Sequence, residues 1–406
     1  MSEYDILIVG GGHAGAQCAS ALRHFGFDGS IGLLTDEGAL PYERPPLSKD
    51  YLSGDKTLEQ LAFHPAGFWA DKRIDLLHGR YVESVDASGR QVVCANGETY
   101  RYGRLIWAAG GHARRLTCAG PDQAGIHVVR TVADVDQIRL ELADVRHVVV
   151  IGGGFIGLES AASLVKLGKR VTVVEAFGRV LARVTGPELS TFFEREHRAR
   201  GVEICVNAKV EALEGEHGHV RGVRLADGRL LPADLVIAGI GIMPAVAPLL
   251  SAGAAGQNGV DVDARCRTTL EHVYAIGDCA RQHNAFAGQA IRVESVQNAV
   301  DQATLVASEI TGRPQPKASV PWFWSTQYDL RLQMAGLSTG YDDLVVRGDP
   351  DTKSFSIAYL RDGVLIGVDA VNAVKDFMQG RTAIGKFVRP NRVALADPAT
   401  PLSSFQ

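Results

Sequence analysis

The sequence predicts an α/β fold with two Rossmann-like dinucleotide-binding domains and a smaller α+β domain at its C-terminal end. The spacing Gly-x-Gly-x-x-Gly occurs twice, at residues 10–15 and at residues 152–157. Each copy follows a short apolar run and opens a segment with helical periodicity, which is the order of a strand, a tight turn and a helix. A chain with two dinucleotide sites can pass a hydride between the dinucleotides, so the duplication predicts a redox enzyme.

The positions of the glycines suit the binding of a pyrophosphate. The first glycine of each copy allows the tight turn, and the second admits the phosphates close to the backbone. The third lets the helix pack on the strand with its N-terminus toward the anion. The residues expected to line the two cofactors are therefore Gly10, Gly12, His13, Ala14 and Gly15 in the first copy and Gly152, Gly154, Ile156 and Gly157 in the second.

An acidic residue follows each copy at the distance where a carboxylate can bind ribose hydroxyl groups. Glu37 lies 22 residues beyond the last glycine of the first copy, and Glu175 lies 18 residues beyond that of the second. A carboxylate at Glu175 accepts from a free 2′-hydroxyl and repels a 2′-phosphate, which favours NADH over NADPH. Arg179 is close enough to attract that phosphate, but we interpret it as a solvated turn residue.

Length and composition restrict the class of protein. A chain of 406 residues is too long for a single core and predicts two or three domains. The longest apolar stretch, at 235–243, is about half of a membrane span, and the acidic N-terminus does not resemble a signal peptide. The net charge of −4 argues against a surface that coats nucleic acid. Six scattered cysteines predict neither disulfides nor a metal site, so we expect a cytoplasmic protein without a metal.

The pattern along the chain indicates three parts. Residues 1 to about 108 and 110 to about 240 each predict an α/β unit, the first with an irregular insertion at 36–60 and the second with a hairpin turn at 226–228. A Pro-bearing linker at 312–316 leads into the third part. There, alternating runs predict strands at 355–359 and 364–368, and a helix is expected over 370–378.

Several segments resemble the FAD-dependent ferredoxin reductases that serve bacterial Rieske-type dioxygenases and haem-thiolate monooxygenases. The most specific is Pro41-Tyr42-Glu43-Arg44-Pro45-Pro46-Leu47-Ser48-Lys49; the others lie at 150–159, 275–279, 296–299 and 321–325. The resemblance spans residues 4 to about 375 and implies a glutathione-reductase-like arrangement. It implies a discontinuous FAD-binding domain at 1–109 and 242–316, an NAD-binding domain at 110–241 and a C-terminal α+β domain at 317–406.

The resemblance assigns roles to individual residues. It implies that the first fingerprint binds FAD, that Glu37 holds the adenosine ribose and that Asp278 accepts hydrogen bonds from hydroxyl groups of the FAD. Arg44 and Lys49 would lie along the isoalloxazine, where a cation stabilises the reduced flavin. Further cofactor contacts are implied for Ala109, Gly110, Gly241 and Val296.

Three side chains are implied for the site of hydride transfer: Lys49, Glu159 and Trp324. Glu159, on the helix after the second fingerprint, would pair with Lys49 beside the flavin and near the nicotinamide carboxamide. Its position alone also fits a solvated carboxylate that complements the helix dipole. In the same way, an indole at Trp324 also fits a plain core residue.

Three residues depart from the family pattern: Ala109, Ala245 and Thr326. Thr326 stands where the family usually has an aspartate, which affects the polar contacts expected at the edge of the flavin. The two alanines belong to turns between domains, and we expect them to adjust the properties of the cofactor site without removing its activity.

The cysteines separate two kinds of chemistry. Disulfide reductases of this architecture carry a redox cysteine pair on a helix of the FAD domain, and NADH oxidases carry a single cysteine just beyond the first unit. The segment 36–60 has no cysteine, and Cys18 is expected in the core. We therefore expect single-electron delivery to a [2Fe–2S] ferredoxin. The alternatives are an NADH oxidase or another NADH-dependent FAD reductase using oxygen or a small molecule, and a largely non-catalytic FAD protein.

The ferredoxins implied by the resemblance are small and acidic, so docking needs local basic charge. Residues 371–406 carry three more positive than negative charges. The residues expected to dock the ferredoxin are Lys375, Arg381, Lys386, Arg389 and Arg392, joined by Arg292 and Arg331. A basic tail without a partner would carry the same charges. We expect the chain to act as a monomer or weak homodimer.

Overall fold

Each Gly-rich fingerprint lies between a buried strand and a helix in the structure, a computed structural model that describes residues 2–405. The chain divides into two units. Unit 1 comprises the chain up to Arg44, Leu58–His112 and Met243–Pro321. Unit 2 comprises Pro45–Thr57, Ala113–Ile242 and the chain from Trp322 onward. The parts predicted at 110–241 and 317–406 therefore fall together in unit 2, which also holds half of the predicted insertion.

The helices follow both fingerprints and also occupy the C-terminal part. In chain order they are α1 (His13–His24), α2 (Leu58–Leu61), α3 (Ala66–Asp71), α4 (Val132–Glu141), α5 (Phe155–Lys166), α6 (Pro187–Ala199), α7 (Ala247–Ser251), α8 (Val296–Ile310), α9 (Val374–Gly385) and α10 (Arg392–Ala396). Short 3-10 turns lie at Pro45–Ser48, Gly277–Cys279, Pro350–Thr352 and Leu402–Ser404.

The strands fall into four groups along the chain. The first group is β1 (Ser2–Val9), β2 (Ile31–Leu34), β3 (Ile74–Leu77), β4 (Val82–Asp86), β5 (Gln91–Cys94), β6 (Thr99–Trp107) and β7 (Gly111–Ala113). The second is β8 (Ile126–His127), β9 (His147–Ile151), β10 (Arg170–Val174), β11 (Glu203–Cys205), β12 (Val210–Glu216), β13 (His219–Leu225), β14 (Leu230–Pro232) and β15 (Leu235–Ala238). The third is β16 (Ile242–Pro244), β17 (Val260–Val262), β18 (Val273–Ala275), β19 (Ala280–Asn284) and β20 (Gln289–Ile291). The last is β21 (Trp322–Gln327), β22 (Leu330–Gly336), β23 (Asp343–Asp349), β24 (Ser354–Arg361) and β25 (Val364–Val371).

The central sheet of unit 1 is parallel, with the strand order β3-β2-β1-β6-β18. The hairpin β4–β5 adds antiparallel strands beside the start of β6. Apolar side chains cover both faces of β1, as expected where helices pack on a parallel sheet. Strand order reverses between β1 and β6, so the first fingerprint lies at the switch point where such sheets bind ligands.

Unit 2 repeats this plan and adds two antiparallel sheets. Its parallel sheet has the order β11-β10-β9-β15-β8, which places the second fingerprint at the end of β9 beside the reversal at β15. The predicted hairpin at 226–228 is confirmed as the turn between β13 and β14. The C-terminal strands form an antiparallel sheet with the order β21-β22-β25-β24-β23.

The helix predicted over 370–378 is wrong at its start. Strand β25 continues to Val371, and α9 begins only at Val374. Asn372 separates them in a left-handed conformation with φ +49°, which asparagine tolerates better than most residues. Its side-chain amide donates to the carbonyl of Lys353 and accepts from the backbone of Arg331, so tertiary contacts fix this turn.

Within residues 2–405, no helix has the length and apolar character that crossing a membrane would require.

Candidate active site

The two fingerprints have the same backbone geometry at their first glycine. Gly10 and Gly152 have φ angles of +112° and +111°, in the region that L-residues with side chains avoid. A Cβ at Gly10 would lie 2.3 Å from the carbonyl oxygen of Ala108, and one at Gly152 would lie 2.4 Å from that of Gly239. Each turn therefore requires glycine for its conformation and also for the close approach of the next strand.

The third glycine of each copy is fixed by packing. A Cβ at Gly15 would lie 1.9 Å from the carbonyl oxygen of Gly10, and a Cβ at Gly157 would lie 2.0 Å from that of Gly152. Both helices thus begin in contact with the turn that precedes them. The match between the copies confirms that the duplicated spacing marks a duplicated structure.

The N-termini of α1 and α5 suit an anion. Their capping residues, Gly12 and Gly154, are extended and provide no side-chain cap, and neither helix has an acidic residue in its first turn. The first-turn N–H groups and the helix dipole therefore face the turn without a competing carboxylate from the helix's own first turn. A glycine cradle at such an N-terminus fits the pyrophosphate of a dinucleotide in each copy. Ile156, at the start of α5, leaves 42% of its surface exposed.

Several predicted FAD contacts meet around the first fingerprint in unit 1. The 3-10 turn Gly277–Cys279 carries Asp278 toward the start of α1, since a Cβ at Gly277 would lie 3.1 Å from the Cβ of Ala14. The backbone N–H of Gly277 donates to Gln302 on α8, whose first residue is Val296. The turn that carries Asp278 therefore lies beside the first fingerprint, and its contact with FAD stays a prediction.

The turn after β6 brings two of the departures from the family pattern together. Ala109 and Gly110 follow β6 directly, and a Cβ at Gly10 would lie 2.9 Å from the Cα of Ala109. The backbone N–H of Ala245 donates to the carbonyl of Gly110, and the indole of Trp107 donates to the carbonyl of Ala245. Backbone groups make both of these contacts at Ala245, so the turn forms without the side chain usual at that position.

Glu37 and Arg44 form an ion pair 2.6 Å long in unit 1, and the hydroxyl of Tyr42 also donates to Glu37. Burial opposes the charge on Arg44, but Tyr42 and Glu37 outweigh this effect and raise the pKa of the guanidinium. Arg44 also lies near Gly12, where a Cβ would be 3.7 Å from its Nε. The structure therefore places Arg44 with the predicted ribose ligand and the fingerprint turn, and its position along the isoalloxazine stays a prediction.

Glu175 braces the second fingerprint. Its carboxylate accepts from the backbone N–H of Gly153 at 2.7 Å and from that of Phe177 at 2.8 Å. The interpretation of Arg179 as a solvated turn residue is wrong, because its guanidinium donates to Ser190 Oγ at 2.6 Å and to the carbonyl of Ala182. Arg179 is thus bonded to protein acceptors, whereas the carboxylate of Glu175 lies at the turn. Gly241, the remaining predicted contact, follows β15 with φ +95°.

Lys49 and Glu159 meet in unit 2. Lys49 Nζ donates to Glu159 Oε2 at 2.7 Å, and Ser48 Oγ donates to the same oxygen at 2.5 Å. Ser48 is held by Ser163, whose hydroxyl donates to its carbonyl at 2.8 Å. Glu159 is only 2% exposed, so the alternative of a solvated carboxylate is wrong. Burying a carboxylate is costly unless donors satisfy it, and the charge of Lys49 provides the main compensation.

Two partners of Glu159 were not predicted. Ser48 lies inside the segment that carries the resemblance, directly before Lys49. Ser325 Oγ donates to the other carboxylate oxygen, Glu159 Oε1, at 2.7 Å. The signal for Ser325 was the strand alternation after Trp324, which turns residue 325 to the buried face and leaves Thr326 exposed. Thr326 therefore does not take part in this hydrogen-bond set.

The predicted aromatic residue Trp324 is half-buried in β21, with its ring 5.4 Å from that of Trp322. The aromatic side chain that contacts the second fingerprint is its neighbour Phe323. The rings of Phe323 and Phe155, the first residue of α5, lie 4.6 Å apart. Strand β21 therefore contributes an aromatic ring and a hydroxyl donor to the same helix.

None of the cysteines has the environment of a reactive thiol. All six are free, and five are buried. Burial raises the pKa of every one of them, Cys18, Cys94, Cys118, Cys205, Cys266 and Cys279. Because the thiolate is the reactive form, the structure opposes thiol chemistry, and the core position predicted for Cys18 is confirmed. The described part of the chain contains no cluster of three or more His, Cys, Asp or Glu residues suited to a metal ion.

The basic residues predicted for docking are not equivalent. Lys375 on α9 and Lys386 after it are exposed, as are the apolar side chains of Val374 and Met378 on α9. Arg392 is engaged by Asp343 at 2.8 Å, Arg389 donates to a backbone carbonyl, and Arg381 lies over the ring of Trp322. Arg331 is exposed on β22.

Arg292 does not join an exposed basic patch. Its side chain is 8% exposed, pairs with Glu294 and donates to the carbonyl of Asp278. The expectation for Arg292 is therefore wrong, because its guanidinium supports the turn that carries Asp278.

The family model of the pyridine nucleotide-disulphide oxidoreductases matches residues 4–303, and that of the reductase C-terminal domain matches residues 322–406. The chain belongs to the pyridine nucleotide-disulphide oxidoreductase family. Members of this family that act as ferredoxin reductases use FAD and NAD(P)H, which agrees with the two glycine cradles.

Within this family, the chain is similar over its full length to named ferredoxin reductases. It is 54% identical to the 5,5'-dehydrodivanillate O-demethylase ferredoxin reductase subunit of Sphingobium sp. strain SYK-6, covering 100% of this chain and 99% of that protein. It is 38% identical to putidaredoxin reductase of Pseudomonas putida, covering 99% of this chain and 96% of that protein.

Solved structures of the family show the same fold. The covalent putidaredoxin reductase–putidaredoxin complex matches with a TM-score of 0.95 and 38% identity, over 100% of this chain and 98% of that one. The ferredoxin reductase for the CYP199A2 system from Rhodopseudomonas palustris matches with a TM-score of 0.94 and 39% identity, over 98% and 99% of the two chains. The predicted α/β fold with a C-terminal reductase domain is confirmed.

Proposed function

We propose that this protein oxidises NADH with a bound FAD and passes electrons one at a time to a [2Fe–2S] ferredoxin that serves a haem-thiolate monooxygenase or a Rieske dioxygenase. The observation that carries the proposal is the buried Lys49–Glu159 pair on the helix that opens at the second fingerprint. An ion pair there provides charge beside a nicotinamide without a nucleophile. The raised pKa values of all the thiols support the same chemistry, since they oppose a cysteine intermediate.

We assign FAD to the first cradle. When bound, FAD supplies a centre that accepts a hydride and releases single electrons. Gly10, Gly12 and Gly15 would hold its pyrophosphate with His13 and Ala14, and Asp278 would take its hydroxyl groups. Glu37 would hold the adenosine ribose, and Arg44, its partner in an ion pair, would bring a cation to the same site. Ala109, Gly110 and Val296 would line the same site.

We assign NADH to the second cradle. Gly152, Gly154, Ile156 and Gly157 would hold its pyrophosphate, and Gly241 would line the site. Glu175 would accept from the 2′-hydroxyl of the ribose, while Arg179 is occupied by Ser190 and is not presented to a 2′-phosphate. In hydride transfer, the side chains of this protein would then serve to position the cofactor rings. Lys49 would hold its charge at the flavin, Glu159 would orient Lys49 and the carboxamide, and Trp324 would pack at the ring.

We further propose that the ferredoxin docks on the C-terminal domain at Lys375 and Lys386, with Val374 and Met378 as the apolar centre. Exposed lysines around an exposed apolar patch suit a small acidic partner. The free cysteines suit a reducing compartment, so we place the enzyme in the cytoplasm, as a monomer or weak homodimer. The predicted domain boundaries at 109, 241 and 316 belong to this proposal.

Rapid mixing tests the proposed function. The enzyme purified with its flavin is reduced with NADH, and the reoxidation of the flavin is then followed with [2Fe–2S] ferredoxins or with oxygen alone. We expect NADH to reduce the flavin and a ferredoxin to accelerate reoxidation well beyond the rate with oxygen. Fast reoxidation by oxygen that no ferredoxin accelerates would assign the chain to the NADH oxidases instead.

A further inference from the structure

A line of buried polar side chains leads away from Glu159 through unit 2. Ser325 Oγ, which contacts Glu159 Oε1, also lies 3.1 Å from Gln327 Nε2. Gln327 Oε1 lies 2.8 Å from His197 Nε2, and His197 Nδ1 lies 2.9 Å from the hydroxyl of Tyr328. Ser325, Gln327 and His197 are each 1% exposed or less. Polar side chains are mostly exposed, and those that are buried need hydrogen-bond partners.

The fold explains how these side chains meet. Ser325 and Gln327 are two residues apart on β21, so their side chains lie on the same face of the strand. His197 lies near the C-terminal end of α6. Tyr328 follows β21 with φ +57°, a left-handed turn that is unusual for a tyrosine.

The number of protons fixes the direction of these hydrogen bonds. Ser325 has one hydroxyl proton, and Glu159 Oε1 can only accept it. The neighbour of Ser325 on the other side must therefore be a donor, which is Nε2 of the Gln327 amide. The opposite orientation of that amide would leave one proton for two acceptor oxygens.

The direction then continues to the surface. With Nε2 of Gln327 toward Ser325, its Oε1 accepts from His197, so His197 carries its proton on Nε2 and accepts at Nδ1 from Tyr328. Burial lowers the pKa of His197 to about 4, which keeps the ring neutral with one donor and one acceptor nitrogen. Burial also raises the pKa of Tyr328, which keeps its hydroxyl protonated.

The outer end is anchored by charges. The guanidinium of Arg200 lies 4.4 Å from the centre of the Tyr328 ring. Arg200 pairs with Glu196 at 2.7 Å and with Asp329 at 2.5 Å, and Lys353 pairs with Glu196 at 3.0 Å. The ring of Tyr328, where the line of hydrogen bonds starts, is therefore held in place by Arg200 and its ion pairs.

We propose that Tyr328, His197, Gln327 and Ser325 form a one-directional chain of donated hydrogen bonds that ends on Glu159 Oε1 and positions this carboxylate for hydride transfer. The proposal rests on the role given to Glu159 under the proposed function. Each donor in the chain polarises the next, and the last hydrogen bond is donated to the carboxylate oxygen that Lys49 does not contact. Glu159 is thereby held between a cation on one oxygen and a neutral donor on the other. His197, Gln327 and Tyr328 act through Ser325 and are positioning residues.

The direction can be measured in the unmodified holoenzyme. Nitrogen-15 NMR of protein labelled at its 12 histidines distinguishes a protonated ring nitrogen from a bare one, and the signal that disappears in His197→Gln identifies His197. We expect a proton on Nε2 and none on Nδ1. A proton on Nδ1 would overturn the proposal, because Gln327 and Ser325 would then have to point the other way. This result does not depend on NADH or on any electron acceptor, so it is separate from a failure of the proposed function.

A double-mutant cycle tests whether the chain acts on Glu159. Ser325→Ala removes the last donor, and Gln327→Met removes the amide while keeping its approximate size. We expect Ser325→Ala to slow the reduction of flavin by NADH about tenfold or more, which is the size expected for one hydrogen bond to a charged group. Gln327→Met should slow it by a smaller factor, because its amide bonds to a neutral hydroxyl. Each should also shift the midpoint potential of the flavin. The double variant should be no slower than Ser325→Ala alone, because Gln327 acts only through Ser325.

Two outcomes of the cycle would contradict the chain. Effects that multiply in the double variant would mean that Gln327 acts independently of Ser325. A lowered thermal stability with an unchanged reduction rate and flavin potential would mean that both residues are merely structural. Gln333→Met, at a buried glutamine on the adjacent strand β22, is the matched control and should leave rate and potential unchanged.

Discussion

Lys49 and Glu159 are 110 residues apart in the sequence, and their charged atoms lie 2.7 Å apart. The two side chains are 16% and 2% exposed, so little solvent screens the pair. Three donors, from Ser48, Lys49 and Ser325, converge on the one carboxylate. The site is thus built from three distant stretches of sequence that meet at helix α5.

Lys49→Met should slow the reduction of flavin by NADH at least tenfold, which corresponds to about 1.4 kcal/mol in the barrier. The substitution keeps most of the side-chain volume and removes the charge that compensates Glu159. Stopped-flow absorbance at the flavin band measures the rate. Lys56→Met is the control, because Lys56 pairs with Asp50 at 3.5 Å on an exposed surface of the same segment. An unchanged rate in Lys49→Met would remove the ion pair from the mechanism.

Glu175→Ser should reduce the preference for NADH over NADPH by about tenfold or more, because the carboxylate that repels a 2′-phosphate is lost. The ratio of kcat/KM for the two nucleotides measures this effect. The same substitution removes the brace on Gly153, so some loss of activity with NADH is also expected. Glu188→Gln removes an exposed carboxylate at the start of α6 and should leave the ratio unchanged. A constant ratio in Glu175→Ser would assign the discrimination to other residues.

Reversing the charges at Lys375 and Lys386 should lower kcat/KM for the ferredoxin about tenfold or more at low ionic strength and much less at high salt, where the Debye length is short. Reduction of the flavin by NADH should not change, since it does not involve this surface. Lys209→Glu combined with Arg221→Glu is the matched control, an equal change of charge at two exposed basic residues elsewhere in unit 2. Equal losses in the control and in the double variant would indicate a general effect of net charge instead of docking.

Alkylation of the native enzyme at pH 8 should leave its NADH–ferredoxin activity intact. Burial raises the pKa of each thiol, and Cys118 is the one that is not fully buried. Mass spectrometry counts the adducts, and the same treatment in denaturant should modify all six cysteines. A single adduct that abolishes turnover would reveal a redox thiol.

Asp369→Asn should stabilise the protein above pH 6 and have little effect near pH 4. Asp369 is buried and accepts from Thr185 and Tyr359, and burial raises its pKa to about 6. A carboxyl group whose pKa is raised on folding favours the folded state below its unfolded pKa of about 4, and this contribution is lost as pH rises toward 6. An asparagine accepts the same two hydrogen bonds and has no charge to bury.

Thermal unfolding at pH 4.5 and pH 7.5 measures this difference. Two pKa units correspond to a gain of up to about 3 kcal/mol at the higher pH. Asp351→Asn, at an exposed ion pair with Arg195, should show no such dependence on pH. A gain of the same size at both pH values would contradict the titration of Asp369.

The sequence predicted the parts of this protein that depend on local pattern. The strand, turn and helix of each fingerprint follow from glycine spacing and periodicity. The positive φ angles and close backbone contacts at Gly10 and Gly152 exclude any residue with a side chain from these turns. The pairing of Lys49 with Glu159 came from the resemblance, since no local pattern relates residues 110 positions apart. The partners of Arg44 and Arg179 lie within 11 residues of them but were also missed. Both arginines lie in irregular segments, where no helix or strand period relates a long flexible side chain to its acceptor.

The two fingerprints divide recognition between backbone and side chains. Main-chain N–H groups at the two turns would hold the phosphates, and any residue larger than glycine at Gly15 or Gly157 would collide with the backbone. Glu37 and Glu175 each follow the strand that pairs with the fingerprint strand of their own unit, and they would instead bind the ribose. The glycines that form the phosphate-binding turns therefore tolerate no substitution, whereas the preference for one nucleotide can change through single side-chain substitutions. An engineer who wishes to exchange the nucleotide can therefore leave both glycine turns untouched.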